Sequence, residues 1–347
     1  MTFIDFTSIV KEAWQDYDNT REIARIVDIS AKVSTNYVYR VTFTDGNFII
    51  AKLSYFGKYE HFVEDHSIID TLSNNLPAPF ENFLARSLAK GKFLYVYRFQ
   101  NQILDAWVVF YRPSAIKKRL PKRLDEEQIV KLGEQVALFH KACYSIRNTL
   151  PPSSKTLKTD IDHLLRILET DYGRYEHRMH IEEIKYQSDL FLENSQEIKA
   201  DDFIKIPVFV DWNIGNFSVT SSTKLFSRWD YDWFRISSRM LDFYFLSRVV
   251  SDIGDRTVFS YVIGPLMEDR FLLFLKSYHK VFPLKIEEIR FLKEVYRFFI
   301  LNYVIKDGRF FFHEIFATKL QKEAFDIYLP SIENQFNADA ILKALNI

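Results

Sequence analysis

Phe209-Val210-Asp211-Trp212-Asn213-Ile214-Gly215-Asn216, followed after a short gap by Trp229-Asp230-Tyr231-Asp232, is the stretch on which the reading of this chain turns. It places an Asp, an Asn five residues later and a second Asp in the next apolar segment. Those are the polar groups that phosphoryl transfer from a nucleotide needs. One carboxylate orients the attacking hydroxyl, while an amide and a second carboxylate hold the Mg²⁺ that bridges the phosphates. An isolated Asp-x-x-x-x-Asn is more often a turn in which both side chains cap their own backbone. Asp230 shifts that balance. A strand carrying Phe217 and Val219, a turn at Ser221-Ser222 and a return through Leu225 and Phe226 predict a hairpin that brings Asp230 back beside Asn216.

Working outward from that hairpin, the next informative residue is Lys52, which closes the apolar run 48–53. A lysine in such a strand either snorkels to solvent or pairs with an anion, because a desolvated ammonium is costly. The same chemistry that uses Asp211 uses a lysine to hold nucleotide phosphates, paired with a carboxylate on the following helix. Residues 59–76 supply that helix, with Phe62, Ile69, Leu72 and Leu76 near helical spacing and Pro77 and Pro79 ending it. Glu60, Glu64 and Asp65 on it are the candidate partners; Glu64 has the longer reach and Asp65 the better spacing. Runs 23–29, 37–43 and 48–53, with an Asp45-Gly46 turn between the last two, predict three antiparallel strands. Residues 83–86 and 93–99 predict a further hairpin around Gly91. The turn before Tyr37 carries no glycine, so Ser34, Thr35 and Asn36 are the donors available there.

Beyond residue 102 the chain turns mostly helical. Ile129, Leu132, Val136, Phe139 and Cys143 form one helical stripe, and His140 beside it reads as core, since no metal or nucleophile pattern accompanies the single cysteine. The expected class is α+β in two lobes: residues 1–102 with an antiparallel sheet and one helix, and a larger, mainly helical lobe over 103–347. Acids crowd residues 160–202, and if they line the approach to Asp211 they favour a cationic substrate. Lys plus Arg and Asp plus Glu number 46 each, which removes the electrostatic case for a nucleic-acid or anionic-membrane partner. With no membrane-length apolar run and no basic-then-apolar leader, the chain reads as cytoplasmic.

Together these elements resemble the aminoglycoside phosphotransferase and choline kinase superfamily, the small-molecule relatives of protein kinases. The family's catalytic loop, His-Gly-Asp-x-His-x-x-Asn, is matched over residues 209–216 at Asp211 and Asn216. Its metal segment, Ile-Asp-Phe-Asp-Tyr followed by Arg-x-x-Asp-Leu, is matched by Trp229-Asp230-Tyr231-Asp232-Trp233 and Arg239-Met240-Leu241-Asp242-Phe243. The stretch 132–140 looks like the family helix ending in Ala-x-Leu-His, so the likeness covers roughly residues 30–245. The resemblance implies a protein-kinase-like fold and transfer of the γ-phosphoryl of ATP, with Mg²⁺, to a hydroxyl of a small molecule. It makes Asp211 the catalytic Asp and Asn216 and Asp230 the metal ligands. Lys52, Asn36 and Glu64 go to the nucleotide, and Asp242 becomes a structural tie between the metal loop and the next helix. Both family histidines are replaced, by Phe209 and Asn213, so packing is expected to hold the loop. That loss also leaves a second reading, a non-catalytic nucleotide-binding module on the same fold.

Overall fold

A computed structural model describes residues 4–253 and 259–347. Helix α1 (Phe6–Tyr17) opens the chain, its first turn capped by Asp5, which accepts from Thr7 N at 3.0 Å. Ile9, Val10, Ala13 and Trp14 lie on one face at helical spacing and are buried against the sheet. Strands β1 (Ile23–Asp28), β2 (Tyr37–Phe43) and β3 (Phe48–Ser54) follow where alternation predicts them. Gly46 takes φ 82° in the β2–β3 turn, a conformation that favours glycine.

Helix α2 (Tyr59–Asn75) leads to β4 (Ala89–Lys90), β5 (Phe93–Leu94), β6 (Val96–Gln100) and β7 (Asp105–Tyr111). The sheet order is β1-β2-β3-β7-β6, antiparallel at every step. Two expectations change here. Residues 83–86 are not a hairpin strand; Leu84 bridges Arg228 of the large lobe, and β6 pairs with β7 instead. A boundary at residue 102 would divide adjacent strands of one sheet, so the small lobe's sheet ends at Tyr111.

The period of two sorts β3 by function. Ile49, Ala51 and Leu53 face the small-lobe core under α1, whereas Lys52 points to the other face, between the lobes.

In the large lobe, α3 (Glu126–Ile146) is opened by an Asp125/Gln128 capping box. It buries Ile129, Leu132, Val136, Phe139 and Cys143 completely, each apolar side chain contributing about 1.5–3 kcal/mol. Then come α4 (Leu157–Leu168), α5 (Asp171–Glu176) and α6 (Ile181–Glu197). Four short strands, β8 (Lys205–Val208), β9 (Phe217–Val219), β10 (Leu225–Arg228) and β11 (Arg235–Ser238), pair as β8 with β11 and β9 with β10. The loop 209–216 and the loop 229–234 therefore lie at the same ends of two nested hairpins. Helices α7 (Phe243–Val250), α8 (Asp269–Val281) and α9 (Ile286–Phe299) complete the support, followed by shorter helices to residue 345. Gly133 lets α3 approach α8 closely: a Cβ there would meet Ser277 Oγ at 2.2 Å and Phe274 O at 2.6 Å.

Candidate active site

The loop 209–216 is held from behind by one carboxylate. Asp242 Oδ1 accepts from the backbone N–H of Phe209 at 2.9 Å and of Val210 at 2.7 Å, and its Oδ2 accepts from His140 Nε2 at 3.0 Å. With Nε2 donating to Asp242, Nδ1 accepts from the Tyr278 hydroxyl, 2.8 Å away. All three side chains are buried. This corrects two expectations. Asp242 ties the loop 209–216 itself to α3 and α8, and the loop without its histidine is held by hydrogen bonds as well as by packing. His140 is core, as its stripe suggests, and is also a member of that network.

Packing adds to the hold. Phe209 is surrounded by Phe139, Trp212, Tyr231 and Phe234. The fully buried Arg228 guanidinium lies 4.5 Å over the Phe209 ring and 4.6 Å over that of Trp212, while its Nη2 donates to Asp211 O at 2.8 Å. Burial, ahead of the attraction of Asp242 and Asp211, depresses its pKa. Nothing in the local sequence marks Arg228 for this role. Val210 sits at φ 59°, where a β-branched residue is strained. The family motif has Gly at that position, a signal that was legible in the sequence.

In front of this support, Asp211 Oδ1 accepts from Asn213 N at 3.0 Å and Oδ2 from Asn216 Nδ2 at 2.9 Å. Trp229 N donates to Asn216 O at 3.0 Å, so the hairpin does return Asp230 beside Asn216. Asp230 takes φ 67°, another left-handed residue at the turn.

Lys52 Nζ reaches across from β3 to Asp230 Oδ1 at 2.8 Å and to Asp232 Oδ1. None of the three candidates on α2 pairs with it. Glu64 accepts from Ser153 Oγ at 3.0 Å and Ser154 N at 2.7 Å, and Asp65 pairs with Lys155. The segment after α3 folds over α2 and takes up both carboxylates, which no local pattern announces. Asn36 is buried at the site, donating from Nδ2 to Asp232 and accepting from Ser54 Oγ at 3.1 Å. Thr35 is turned to the C-terminal segment, its N donating to Phe311 O at 3.2 Å, and His313 N donates to Val33 O at 3.2 Å. The β1–β2 turn is thus clasped to the large lobe.

Two carboxylates sharing one ammonium titrate unequally. Enclosure opposes ionisation of both. At Asp230 the attraction of Lys52 outweighs it and holds the carboxyl below its ordinary range, whereas at Asp232 burial pushes the carboxyl up to about 7. Lys52 is itself raised: burial works against its charge, but Asp230 and Asp232 outweigh it. Asp232 was visible in the opening stretch without an assigned role; its place on Lys52 appears only in the structure.

A cleft of about 910 Å³ opens from Asp232 outward between α2, α4, α5 and residues 302–311. Trp233 and Phe234 line it, whereas Trp107 and Trp212 are buried elsewhere and are not among its lining residues. The cleft is not an acidic funnel. Each of its five carboxylates already has a cation: Asp65 has Lys155, Asp160 has Arg235 and Lys306, Glu176 has Arg309, Asp232 has Lys52 and Asp307 has Lys306. Of the acids in 160–202 only Asp160 and Glu176 reach it. The expectation of a field favouring cations is corrected accordingly.

A small antiparallel lobe over a helical one, with an Asp/Asn loop facing a Lys-bearing strand, is a protein-kinase-like two-lobed fold. Solved structures share it over nearly the whole chain. An amicoumacin kinase in complex with AMP-PNP, Ca²⁺ and amicoumacin matches with a TM-score of 0.63 at 13% identity, covering 96% of this chain and 95% of that one. A microcompartment-associated aminopropanol kinase matches at 0.61 and 17% identity, covering 94% and 98%. The GDP complex of aminoglycoside 2'-phosphotransferase-IIIa matches at 0.55 and 13%, covering 95% and 98%. No family model matches the sequence, and no curated protein matches it. No helix among the described residues is long and apolar enough to cross a membrane.

Proposed function

We propose that this protein is a phosphotransferase that moves the γ-phosphoryl of ATP, with Mg²⁺, to a hydroxyl of a small molecule. The observation that carries the reading is the convergence, from three separate segments, of the Asp211–Asn216 pair, the adjoining Asp230 and Lys52, with Asp232 of the same cluster opening onto the cleft. The fold likeness supports it, since neighbours bear the names of amicoumacin and aminopropanol kinases.

The donor set fits a divalent cation. No group of three or more His, Cys, Asp or Glu side chains is placed to hold a metal among the described residues, so the candidate ligands are two carboxylates and an amide. Asp230 and Asp232 together exceed Lys52 by one charge, and the strain shows in the raised carboxyl of Asp232. Asn216 turns its NH₂ end to Asp211, which leaves its oxygen as the ligating end. When bound, Mg²⁺ supplies charge neutralisation on the phosphoryl oxygens. Asp230 and Asn216 would hold it, and Lys52 would hold the nucleotide phosphates. Asp211 orients the acceptor hydroxyl and takes its proton as the acceptor oxygen bonds to the γ-phosphorus and the bond to ADP breaks. That proton then passes to solvent. Arg228 and Asp242 keep the Asp211 loop in place throughout.

The test is a thermal-shift titration with millimolar ATP or GTP, with and without Mg²⁺, followed by an ADP-release screen over amino alcohols, sugars, aminoglycosides and hydroxy acids. A ligand bound only by the native state raises the midpoint. Absence of any shift with either nucleotide removes the reading. A Mg²⁺–ATP shift without turnover on any acceptor, small molecule or protein, moves the assignment to a non-catalytic nucleotide-binding module.

A further inference from the structure

The outer part of the cleft carries charge that the protein does not neutralise. Lys58 and His61 reach it from the start of α2, and His163 and Arg166 from α4 on the opposite wall. Among the described residues none of the four forms an ion pair, although every carboxylate in the cleft does. Lys58, His163 and Arg166 are exposed and His61 is half-buried. Burial and then the field of Lys155 and Lys58 lower the pKa of His61; burial and then Lys306, Arg166 and Lys58 lower that of His163, with Glu64 and Asp160 opposing only in part. The same lysine acts on histidines of both lobes. Lys58 and Arg166 therefore face each other as two unpaired cations at the cleft mouth, and the lowered His61 and His163 stand beside them as neutral hydrogen-bonding groups.

A second, independent observation lies deeper. Arg235 Nη1, Asp65 Oδ1 and Asn302 Oδ1 are buried polar atoms without a hydrogen-bond partner, and all three residues line this cleft. Buried polar atoms are normally satisfied, so a group of orphans around one space marks where a polar ligand or its waters belong. One orphan is a cationic donor and two are acceptors. That set matches the hydroxyls of a polyol, each of which can both accept from a donor and donate to an acceptor.

The geometry points to an anionic acceptor: a small polyhydroxyl compound bearing a carboxylate or phosphate, its anion held at the mouth by Lys58 and Arg166 with His61 and His163 as neutral partners, and its hydroxyls directed inward past Arg235, Asp65 and Asn302 toward Asp232. The assignment rests on the phosphotransferase reading for its chemistry but not for its binding. Steering by such a pair weakens as salt screens it. A cationic amino alcohol would meet two uncompensated cations, Lys58 and Arg166, on entry.

The test uses the full chain and four probes matched in size and ionic strength: D-glycerate, glycerol 3-phosphate, glycerol and ethanolamine. Without nucleotide, the two anions should raise the thermal midpoint and glycerol and ethanolamine should not; the stronger anion tells carboxylate from phosphate. In the double variant Lys58→Ala/Arg166→Ala, two exposed changes that the fold tolerates, apparent affinity for the anions should fall about tenfold, as expected for two exposed charge contacts. In turnover with Mg²⁺–ATP the same variant should raise KM for an anionic acceptor while kcat holds, with the Mg²⁺–ATP thermal shift as the check on its fold. Stabilisation by ethanolamine instead of the anions, or anion effects undiminished in the double variant, would overturn the proposal while leaving a nucleotide-dependent kinase standing. Anion binding lost in the variant, with no nucleotide response in either protein, would uphold the anion site and remove the kinase reading.

Discussion

Asp242 and the Asp230–Asp232 pair stand twelve residues apart or less, and all three lie against the loop 209–216 or its hairpin, yet they are finished to different degrees. Asp242 is saturated by the protein alone, with two backbone N–H groups on one oxygen and His140 on the other. Asp230 and Asp232 divide one lysine and are left a charge in excess. A buried carboxylate whose valences are all met from within the chain is scaffolding. One that leaves charge unbalanced beside a cleft awaits a ligand.

Four substitutions test that contrast, in descending size of effect. Asp211→Asn should lower kcat by about 10²–10⁴-fold, the usual worth of a positioned base, with the Mg²⁺–ATP thermal shift retained. Normal turnover in that variant would show that the loop 209–216 is not the reacting site.

Asp242→Ala should cost about 3–5 kcal/mol in urea unfolding, because it strands two buried N–H groups and His140 at once. A loss under 1 kcal/mol would place the loop's support in packing alone. Asp230→Ala draws the opposite expectation. Its side chain is 39% exposed and Lys52 keeps Asp232, so stability without ligand should move by less than about 1 kcal/mol. The Mg²⁺-dependent part of the ATP shift should vanish, and its survival would remove Asp230 from the metal.

The smallest effect concerns His66, buried on α2 with Nδ1 donating to Phe62 O at 2.9 Å and Nε2 accepting from Tyr111 Oη at 2.5 Å. Burial, against the help of the Phe62 carbonyl, drops its pKa to about 3 from 6.5. A histidine depressed in the folded state binds fewer protons there than when unfolded. Its contribution is therefore complete above pH 6.5 and is lost progressively as pH falls toward 3. Burial lifts Asp65 and Asp307 to about 6, and they act with the opposite sign as pH falls from 6 toward 4. Comparing denaturation curves of wild type and His66→Gln isolates the histidine: the variant should lose less stability between pH 6.5 and 4. Parallel curves would mean that His66 charges within the folded protein.

The polar residues of the site were legible because each belongs to a short-range pattern. Asp211 and Asn216 share one loop, the hairpin periodicity returns Asp230 to it, and a period of two turns Lys52 away from the small-lobe core. The β7 strand was missed because residues 105–111 are apolar almost throughout, buried on both faces, and such a run lacks the alternation that marks an exposed strand.

Sequence alone thus determined the two-lobed class and singled out Lys52 as the lone lysine of an apolar strand and Asp211, Asn216 and Asp230 by their spacing along one hairpin, while the resemblance supplied the chemistry proposed for them. Tertiary structure decided the partners. Lys52 finds Asp232 across 180 residues, His140 finds Asp242 across 102, and Lys155 takes Asp65 from across 90. It decided the sign of the cleft as well: most acids of residues 160–202 face away from it, the two that enter are already paired, and basic side chains from two lobes are left at its mouth. The physical reason is the same in each case. Which charges neutralise one another depends on distances of a few ångströms between segments far apart in the chain, and residue order does not encode those distances locally.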